Sequence, residues 1–318
     1  MSRRRFRGVL TGLCCGAGLL AGPGTALAAA DAPEAPPPAF VAPPPGYEPP
    51  TQYAQGAPPA PAVVEAPATF MTLDRMDAST RFGVQVGWDK IDQTPLSDGF
   101  LMRYEPYGQY VLPNKAIGLY GQVPISHAFN LNGADSGGLG NIELGGFFMP
   151  MHSNDLILRT GLVLATGPST INNDFISNAL VTFERMTDVV QAGAGYTTLR
   201  LSASTLQQRD KLFFRADVGF DLTVNKAAAG NAGDYFRGNV AAGVRATAVD
   251  VMLELVNIAA LDGTVPGGIE GRLTHTAGIS LRTQGEDQFH IGSVFPLDDG
   301  ARGKIWIISV GYQRAMTM

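Results

Sequence analysis

The chain has 318 residues, of which 45% are hydrophobic and 16% are charged, and its formal net charge is −5. Both cysteines, Cys14 and Cys15, fall in an N-terminal segment that we expect to be removed. The mature chain then has no disulfide, no thiolate metal site and no cysteine nucleophile. Removing the four arginines of that segment leaves a net charge of −9, which argues against nucleic acid as a partner.

The first thirty residues have the layout of a secretory signal peptide. Arginines 3, 4, 5 and 7 form a positive region, and Gly8–Gly22 is an apolar run too short to span a bilayer. Ala26-Leu27-Ala28 is a small-x-small cleavage motif with Ala28–Ala30 as a second choice, so we expect cleavage near Ala28 to Ala30. Ser2–Phe6 also resembles a twin-arginine signal, which leaves both export routes open.

Residues 31–78 form a second region, which is rich in proline and alanine. Its first part, 31–68, holds 13 of the 22 prolines of the chain. Because proline fixes φ and lacks a backbone donor, this part is predicted to be polyproline II or disordered. We interpret 31–78 as a periplasmic linker whose residues 31–70 are available to bind a periplasmic or cell-wall partner.

From residue 79 to residue 318 the chain repeats segments of alternating polarity separated by turn residues. In the clearest segment, Lys211–Leu222, apolar side chains take every second position and all the charged side chains fall between them. The pattern predicts an all-β fold, a transmembrane antiparallel up-and-down β-barrel of about twelve strands. The predicted strands are 80–90, 99–111, 115–125, 139–149, 155–166, 193–205, 211–223, 236–248, 250–258, 271–283, 287–295 and 303–314.

The connectors between these strands alternate between short and long. A short link such as Leu112–Asn114 is followed by a long one such as Ser126–Gly138, which is typical of a membrane barrel and not of a soluble β-sandwich. The longest link, Gly167–Ala192, has apolar residues at helical spacing. We predict a short helix there, either folded into the barrel mouth or lying on its outer rim.

Assigning the apolar face to lipid predicts a polar barrel interior, because a charge on the lipid face at mid-membrane costs about 2–4 kcal/mol. Arginines outnumber acids on the predicted inward face, so the charges indicate either mild anion preference or a set of paired lumen charges. The lumen-facing candidates are Arg81, Arg103, Glu105, Glu143, Arg159, Arg200, Arg215, Asp217, Arg245, Glu254, Arg272 and Arg282.

Four aromatic residues are predicted to lie at the membrane interfaces. Trp88 and Trp306 fall near the outer ends of the first and last strands, and Tyr104 and Tyr312 fall toward the opposite ends. Trp and Tyr favour this depth because one end of each side chain is apolar and the other forms hydrogen bonds.

Three short motifs resemble elements of a known family of Gram-negative outer-membrane proteins. Residues 138–145 resemble a Gly-x-Gly-Asp-x-x-Leu-Gly element, 164–167 a Leu-Pro-Thr-Gly element, and 123–125 a strand-ending proline. The chain departs from these elements at Asn141 and Ala165. The family is that of the phenol-degradation-pathway outer-membrane proteins. The resemblance implies a twelve-stranded barrel for uptake of hydrocarbons or other small molecules.

These observations predict an outer-membrane channel for passive diffusion of small solutes, with hydrophobic or aromatic solutes implied by the family resemblance alone. The alternative is an anchoring barrel whose proline-rich tail binds periplasmic or cell-wall partners. The expected partners are outer-membrane lipid and the barrel-insertion machinery. Searches for hydrolase, zinc-protease and phosphate-loop motifs are negative, so we predict no enzyme, no catalytic residue, no metal and no cofactor.

Overall fold

The computed structural model describes residues 71–92, 99–131, 134–168, 173–192, 195–225, 233–262, 272–299 and 301–316. The predicted signal peptide and most of the proline-rich linker lie outside these ranges. The described residues form fourteen strand segments, one α-helix and one run of 3-10 turns. In chain order they are β1 (Thr80–Ile91), β2 (Phe100–Val111), β3 (Ile117–Gln122), β4 (Ile125–Leu131), β5 (Ala134–Leu139), β6 (Glu143–Phe148), β7 (Ile157–Val163), α1 (Asn173–Val181), the 3-10 run (Thr182–Ala192), β8 (Thr198–Arg209), β9 (Leu212–Thr223), β10 (Tyr235–Arg245), β11 (Val249–Ala260), β12 (Leu273–Thr283), β13 (Asp287–Pro296) and β14 (Ile305–Met316).

All strand pairs are antiparallel, and the first and last strands close the sheet on itself. Strand β1 pairs with β14 along its whole length, with Thr80 opposite Met316 and Ile91 opposite Ile305. On its other side β1 pairs with β2. Closure satisfies the backbone groups that an open sheet would leave at its edges.

The fourteen segments make twelve barrel strands, because two of these strands are each interrupted once. Segments β3 and β4 pair with successive halves of β2, and β6 and β5 pair with β3 and β4 in turn. The interruptions fall at Val123–Pro124 and at Gly140–Ile142. The predicted closed barrel of twelve strands is confirmed.

The prediction of a long loop over Ser126–Gly138 is wrong. Strand structure continues to Leu131 and resumes at Ala134. Proline breaks the hydrogen-bond ladder locally because it lacks an N–H, so Pro124 resembles a strand end. Pairing resumes beyond it, where Phe129 lies opposite Phe100 and the two rings stack with centroids 4.4 Å apart.

The predicted strand 193–205 begins five residues too early and ends four residues too early. The 3-10 run continues to Ala192, and the strand then extends from Thr198 to Arg209. A tight turn follows, in which Asp210 adopts a positive φ of 54° before β9 begins at Leu212. Aspartate tolerates this conformation better than most residues, since its side chain can hydrogen-bond locally.

Alternation along the strands sorts the side chains between the two faces of the barrel. In β9 the charged residues Arg215 and Asp217 are buried, whereas Phe214 and Val218 are 45% and 46% exposed. Inward positions are therefore charged and outward positions apolar, as the two-residue period requires. No helix within the described ranges has the length and hydropathy needed to cross a membrane.

Candidate functional site

The barrel interior holds most of the charged residues that the sequence places there. Ten of the twelve candidates are at most 5% exposed on the inward face. Arg245 is half-buried and donates from Nε to Asp250 Oδ1 at 3.2 Å. Arg272 is exposed and immediately precedes β12. The ten buried residues are Arg81, Arg103, Glu105, Glu143, Arg159, Arg200, Arg215, Asp217, Glu254 and Arg282.

Residues 71–78, which we call the strap, lie inside the barrel and lead into the start of β1. Met71, Leu73 and Met76 are at most 4% exposed. The charged strap residues bind the wall: Asp74 pairs with Arg159, and Asp77 Oδ2 accepts from Arg81 at 2.8 Å. The linker predicted from the sequence ended at residue 78, so its last eight residues line the interior.

Residues 173–192, which we call the plug, enter the barrel interior through their 3-10 run, Thr182–Ala192. Every residue from Thr182 to Ala192 is buried. Phe183, Met186 and Val190 belong to an apolar cluster that includes wall residues such as Ile258 and Ile307. The two placements that the sequence left open are thus resolved in favour of insertion.

The strap and the plug are bound directly to each other. The guanidinium of Arg185 donates to the backbone oxygens of Met71 and Leu73, at 2.5 and 2.9 Å. The hydroxyl of Thr187 donates to the backbone oxygen of Thr72 at 2.6 Å. The two segments therefore fill the barrel as one hydrogen-bonded unit.

The plug also joins the charged wall through Asp188. Its carboxylate receives Arg185 Nε at 2.6 Å, Arg200 Nη1 at 3.1 Å and Arg103 Nη2 at 3.3 Å. Arg200 extends the network to Glu143, whose Oε2 lies 2.7 Å from Arg200 Nη1. Buried carboxylates of this kind need such partners, because an isolated charge in a low-dielectric interior is very costly.

A second group of contacts ties the strap to β2. Arg75 pairs with Glu105, which also pairs with Arg103. The guanidinium carbon of Arg75 lies 4.2 Å from the ring centroid of Tyr107, which adds a cation–π contact. Arg75 also donates to Gln85 Oε1 at 2.7 Å. One strap side chain thus bridges several inward positions on neighbouring strands.

Within the described ranges, the barrel interior contains more acids than arginines. Nine arginines and eleven carboxylates are buried there, and every one of these arginines contacts a carboxylate within 4.0 Å. The excess of arginines expected from the sequence is not found, and it was the only observation that suggested an anion preference. The charges are instead a paired set with a small negative excess.

The sequence prediction missed the interior charges of the strap and the plug. Strap residues such as Asp74 and Arg75, and plug residues such as Asp188, lie outside the alternating strands that guided it. Asp221 and Arg237 lie on predicted strands and are paired at 3.0 Å. Their inward position follows from the two-residue period, which places both on the polar face of their strands.

The outward face is apolar and carries the predicted interface aromatics. Trp88 and Trp306 are 37% and 57% exposed on the paired strands β1 and β14, where Trp88 faces Ile308 and Trp306 faces Lys90. Tyr104 and Tyr312 are half-buried. The hydroxyl of Tyr312 donates to Asp287 at 2.6 Å. The two tryptophans therefore lie near each other at the end of the barrel that carries the longer connectors.

Charged side chains inside and apolar side chains outside reverse the arrangement of a soluble protein. A closed barrel satisfies all ladder hydrogen bonds internally, which is the condition for crossing lipid with strands. The fold and its two faces define a transmembrane β-barrel of the outer-membrane type.

Comparison with solved structures finds barrels of the same kind at low identity. An outer membrane channel from Pseudomonas putida F1 is 13% identical, with a TM-score of 0.49 over 75% of this chain and 96% of that one. The NanC porin is 7% identical, with a TM-score of 0.43 over 74% and 100%. Omp33 of Acinetobacter baumannii is 9% identical, with a TM-score of 0.36 over 75% and 99%. At such identities the similarity concerns the fold alone.

No protein-family model matches the chain, and no curated protein matches it in sequence.

Proposed function

We propose that the protein is an outer-membrane channel for passive diffusion of small solutes. The proposal rests on the way in which the strap and the plug fill the barrel interior. Side chains of the wall fill a barrel of about eight strands by themselves, whereas twelve strands leave additional space. Here the strap and the plug take up that space, so their displacement would leave a lumen lined by paired charges.

The lumen charges favour polar or charged solutes over apolar ones. Arg200, Glu143 and Asp221 are fully buried on the inward face, and an apolar solute would have to pass them without offering hydrogen bonds. The hydrophobic or aromatic solutes implied by the family resemblance therefore need a separate test. Uptake of phenol and of a sugar of similar size into proteoliposomes would compare the two classes directly.

A planar-bilayer recording of the purified full chain tests the channel. Discrete conductance steps are expected, with closures to a non-conducting level because the strap and plug occupy the lumen. A barrel that inserts and stays silent, even when Glu254→Gln weakens the strap, would contradict a channel function.

The filled interior also supports a second function, that of an anchoring barrel. In that case the strap and plug are permanent parts of the barrel, and residues 31–70 bind a periplasmic or cell-wall partner. Cross-linking in whole cells, with and without residues 31–70, separates the two functions. Loss of a cross-linked partner with unchanged permeability would favour the anchor.

We propose no enzymatic activity. Among the described histidines, His275 is paired with a carboxylate, since its Nδ1 lies 2.8 Å from Asp298 Oδ1. The backbone N–H of His275 donates to the same carboxylate. This arrangement fixes a connector to the N-terminal end of β12.

We also propose that the short turns face the periplasm and that the barrel-assembly machinery inserts the barrel into the membrane.

A further inference from the structure

Three interior carboxylates of the described chain have no cation as a partner: Asp89, Glu184 and Glu254. Glu254 is satisfied by hydrogen bonds, since it accepts from the backbone N–H groups of Met71, Thr72 and Leu73. Asp89 and Glu184 are not satisfied in this way. Asp89 and Glu184 occupy neighbouring inward positions of the same part of the barrel.

Asp89 is an inward residue of β1 and is 2% exposed. Neither of its carboxylate oxygens has a hydrogen-bond partner among the described residues. Its neighbours in the ladder are Leu101 on β2 and Ile307 on β14, both of them buried and apolar. A carboxylate in such surroundings needs either a proton or a positive ligand.

Glu184 of the plug reaches the same part of the wall. Its Oε1 accepts from Gln85 at 2.6 Å and from Ser309 at 2.7 Å, whereas its Oε2 has no partner in the described chain. The carboxylate lies over Gly87, where any Cβ would overlap with it. Asp89 is the next inward position on β1, so the two carboxylates lie beside each other inside the barrel, and we call them the acidic pair.

Arg103, opposite Gly87 on β2, is the cation nearest to the acidic pair in the ladder. Its Nη2 is engaged by Glu105 and Asp188. Its Nη1 has no partner in the described chain, so it does not bond either of the two carboxylates. The acidic pair therefore offers three acceptor oxygens without a donor in the described chain.

We propose that Asp89 and Glu184 form a binding site for a small inorganic cation on the path of solutes through the barrel. Oxygen-only ligands suit hard cations such as K⁺ or Ca²⁺. Acidic residues lining a pore favour cations over anions, so the site gives the channel a cation preference. This inference rests on the proposed channel function and extends it to the class of ion.

The first experiment measures the reversal potential of the full chain in a planar bilayer under a KCl gradient. The wild type is expected to prefer K⁺ over Cl⁻. Asp89→Asn should lower the permeability ratio by roughly two- to fivefold, since it removes one carboxylate from the wall, which stays in place when the plug is displaced. Asp299→Asn is the matched control, because that side chain is 90% exposed. A ratio that is the same in all three proteins would overturn the proposal.

The second experiment does not require an open channel. The unfolding temperature of the detergent-solubilised barrel is compared in KCl, CaCl₂ and tetraethylammonium chloride at equal ionic strength. A small cation should raise it in the wild type and in Asp299→Asn, and not in Asp89→Asn, and the two metal salts distinguish a monovalent from a divalent ligand. If the bilayer stays silent but the unfolding temperature depends on the cation, the channel function is contradicted and the cation site is supported. Identical unfolding temperatures in all three salts would contradict the cation site.

Discussion

The carboxylate of Glu254 on β11 holds Thr72 of the strap by two hydrogen bonds of 2.6 Å. One comes from the backbone N–H of Thr72 and the other from its hydroxyl. The backbone N–H groups of Met71 and Leu73 donate to the same carboxylate, at 2.9 and 3.3 Å. A single wall residue therefore fixes the end of the strap that meets the plug.

Glu254→Gln should release the strap without changing the size of the side chain. Losing the charge-assisted acceptor weakens strap docking by about 2 kcal/mol, which raises the undocked population roughly thirtyfold. Bilayer recordings should then show longer open times than the wild type. Glu286→Gln makes the same chemical change at an exposed turn and should leave the open times unchanged. Equal open times in Glu254→Gln and the wild type would show that the strap does not control the path.

Arg185→Met should separate the plug from the strap. Arg185 donates to two strap carbonyls and to Asp188, and methionine keeps much of its length without any of these bonds. Breaking a buried charge network by removing one partner costs about 3–5 kcal/mol. The free energy of unfolding in urea, measured in lipid vesicles, checks this value. Arg302→Met removes a surface pair whose arginine side chain is 66% exposed, and we expect a change of less than about 1 kcal/mol. If Arg185→Met lowers the free energy of unfolding as little as Arg302→Met does, a structural role for the Arg185 hydrogen bonds is contradicted.

Leu253→Arg should destabilise the barrel in a lipid bilayer. Leu253 is an outward residue near the middle of β11 and is 59% exposed. An arginine at mid-membrane on the lipid face costs about 2–4 kcal/mol, and the cost falls to about 0–1 kcal/mol near the interface. Leu212→Arg, at the first residue of β9 beside a tight turn, is the matched control. Equal losses of unfolding free energy for both variants would mean that Leu253 does not face lipid.

Asp298 should make a small contribution to stability that is lost in acid. Burial acts to raise the pKa of Asp298, but hydrogen bonds from His275 and Thr274 outweigh it and hold this pKa below its usual value. A lowered folded-state pKa stabilises the fold above the unfolded pKa, and the contribution disappears as the pH falls through the folded pKa. Asp298→Asn should therefore reduce the unfolding temperature at pH 7 and have little effect below pH 3. A reduction of the same size at both pH values would attribute the effect to packing and not to the carboxylate charge.

The alternation of polarity determined which face of each strand turns inward. In β9, Arg215 and Asp217 are inward and Phe214 outward because successive side chains of a strand point to opposite sides. Closure also followed from the sequence, since twelve alternating segments without helical crossovers leave few other folds. The two interrupted strands were harder to predict, because Pro124 locally has the features of a strand end.

The contents of the barrel could be decided only by the tertiary structure. A helix at Asn173–Val181 has the same local sequence whether it lies on the rim or in the lumen, and the strap reads as the end of a linker. Their positions depend on contacts such as Arg185 with Met71 and Glu254 with Thr72, between residues 114 and 182 positions apart. The sequence by itself determined the wall and its two faces, because these follow from neighbouring residues. The structure decided what fills the barrel, because that follows from charges brought together only when the sheet closes.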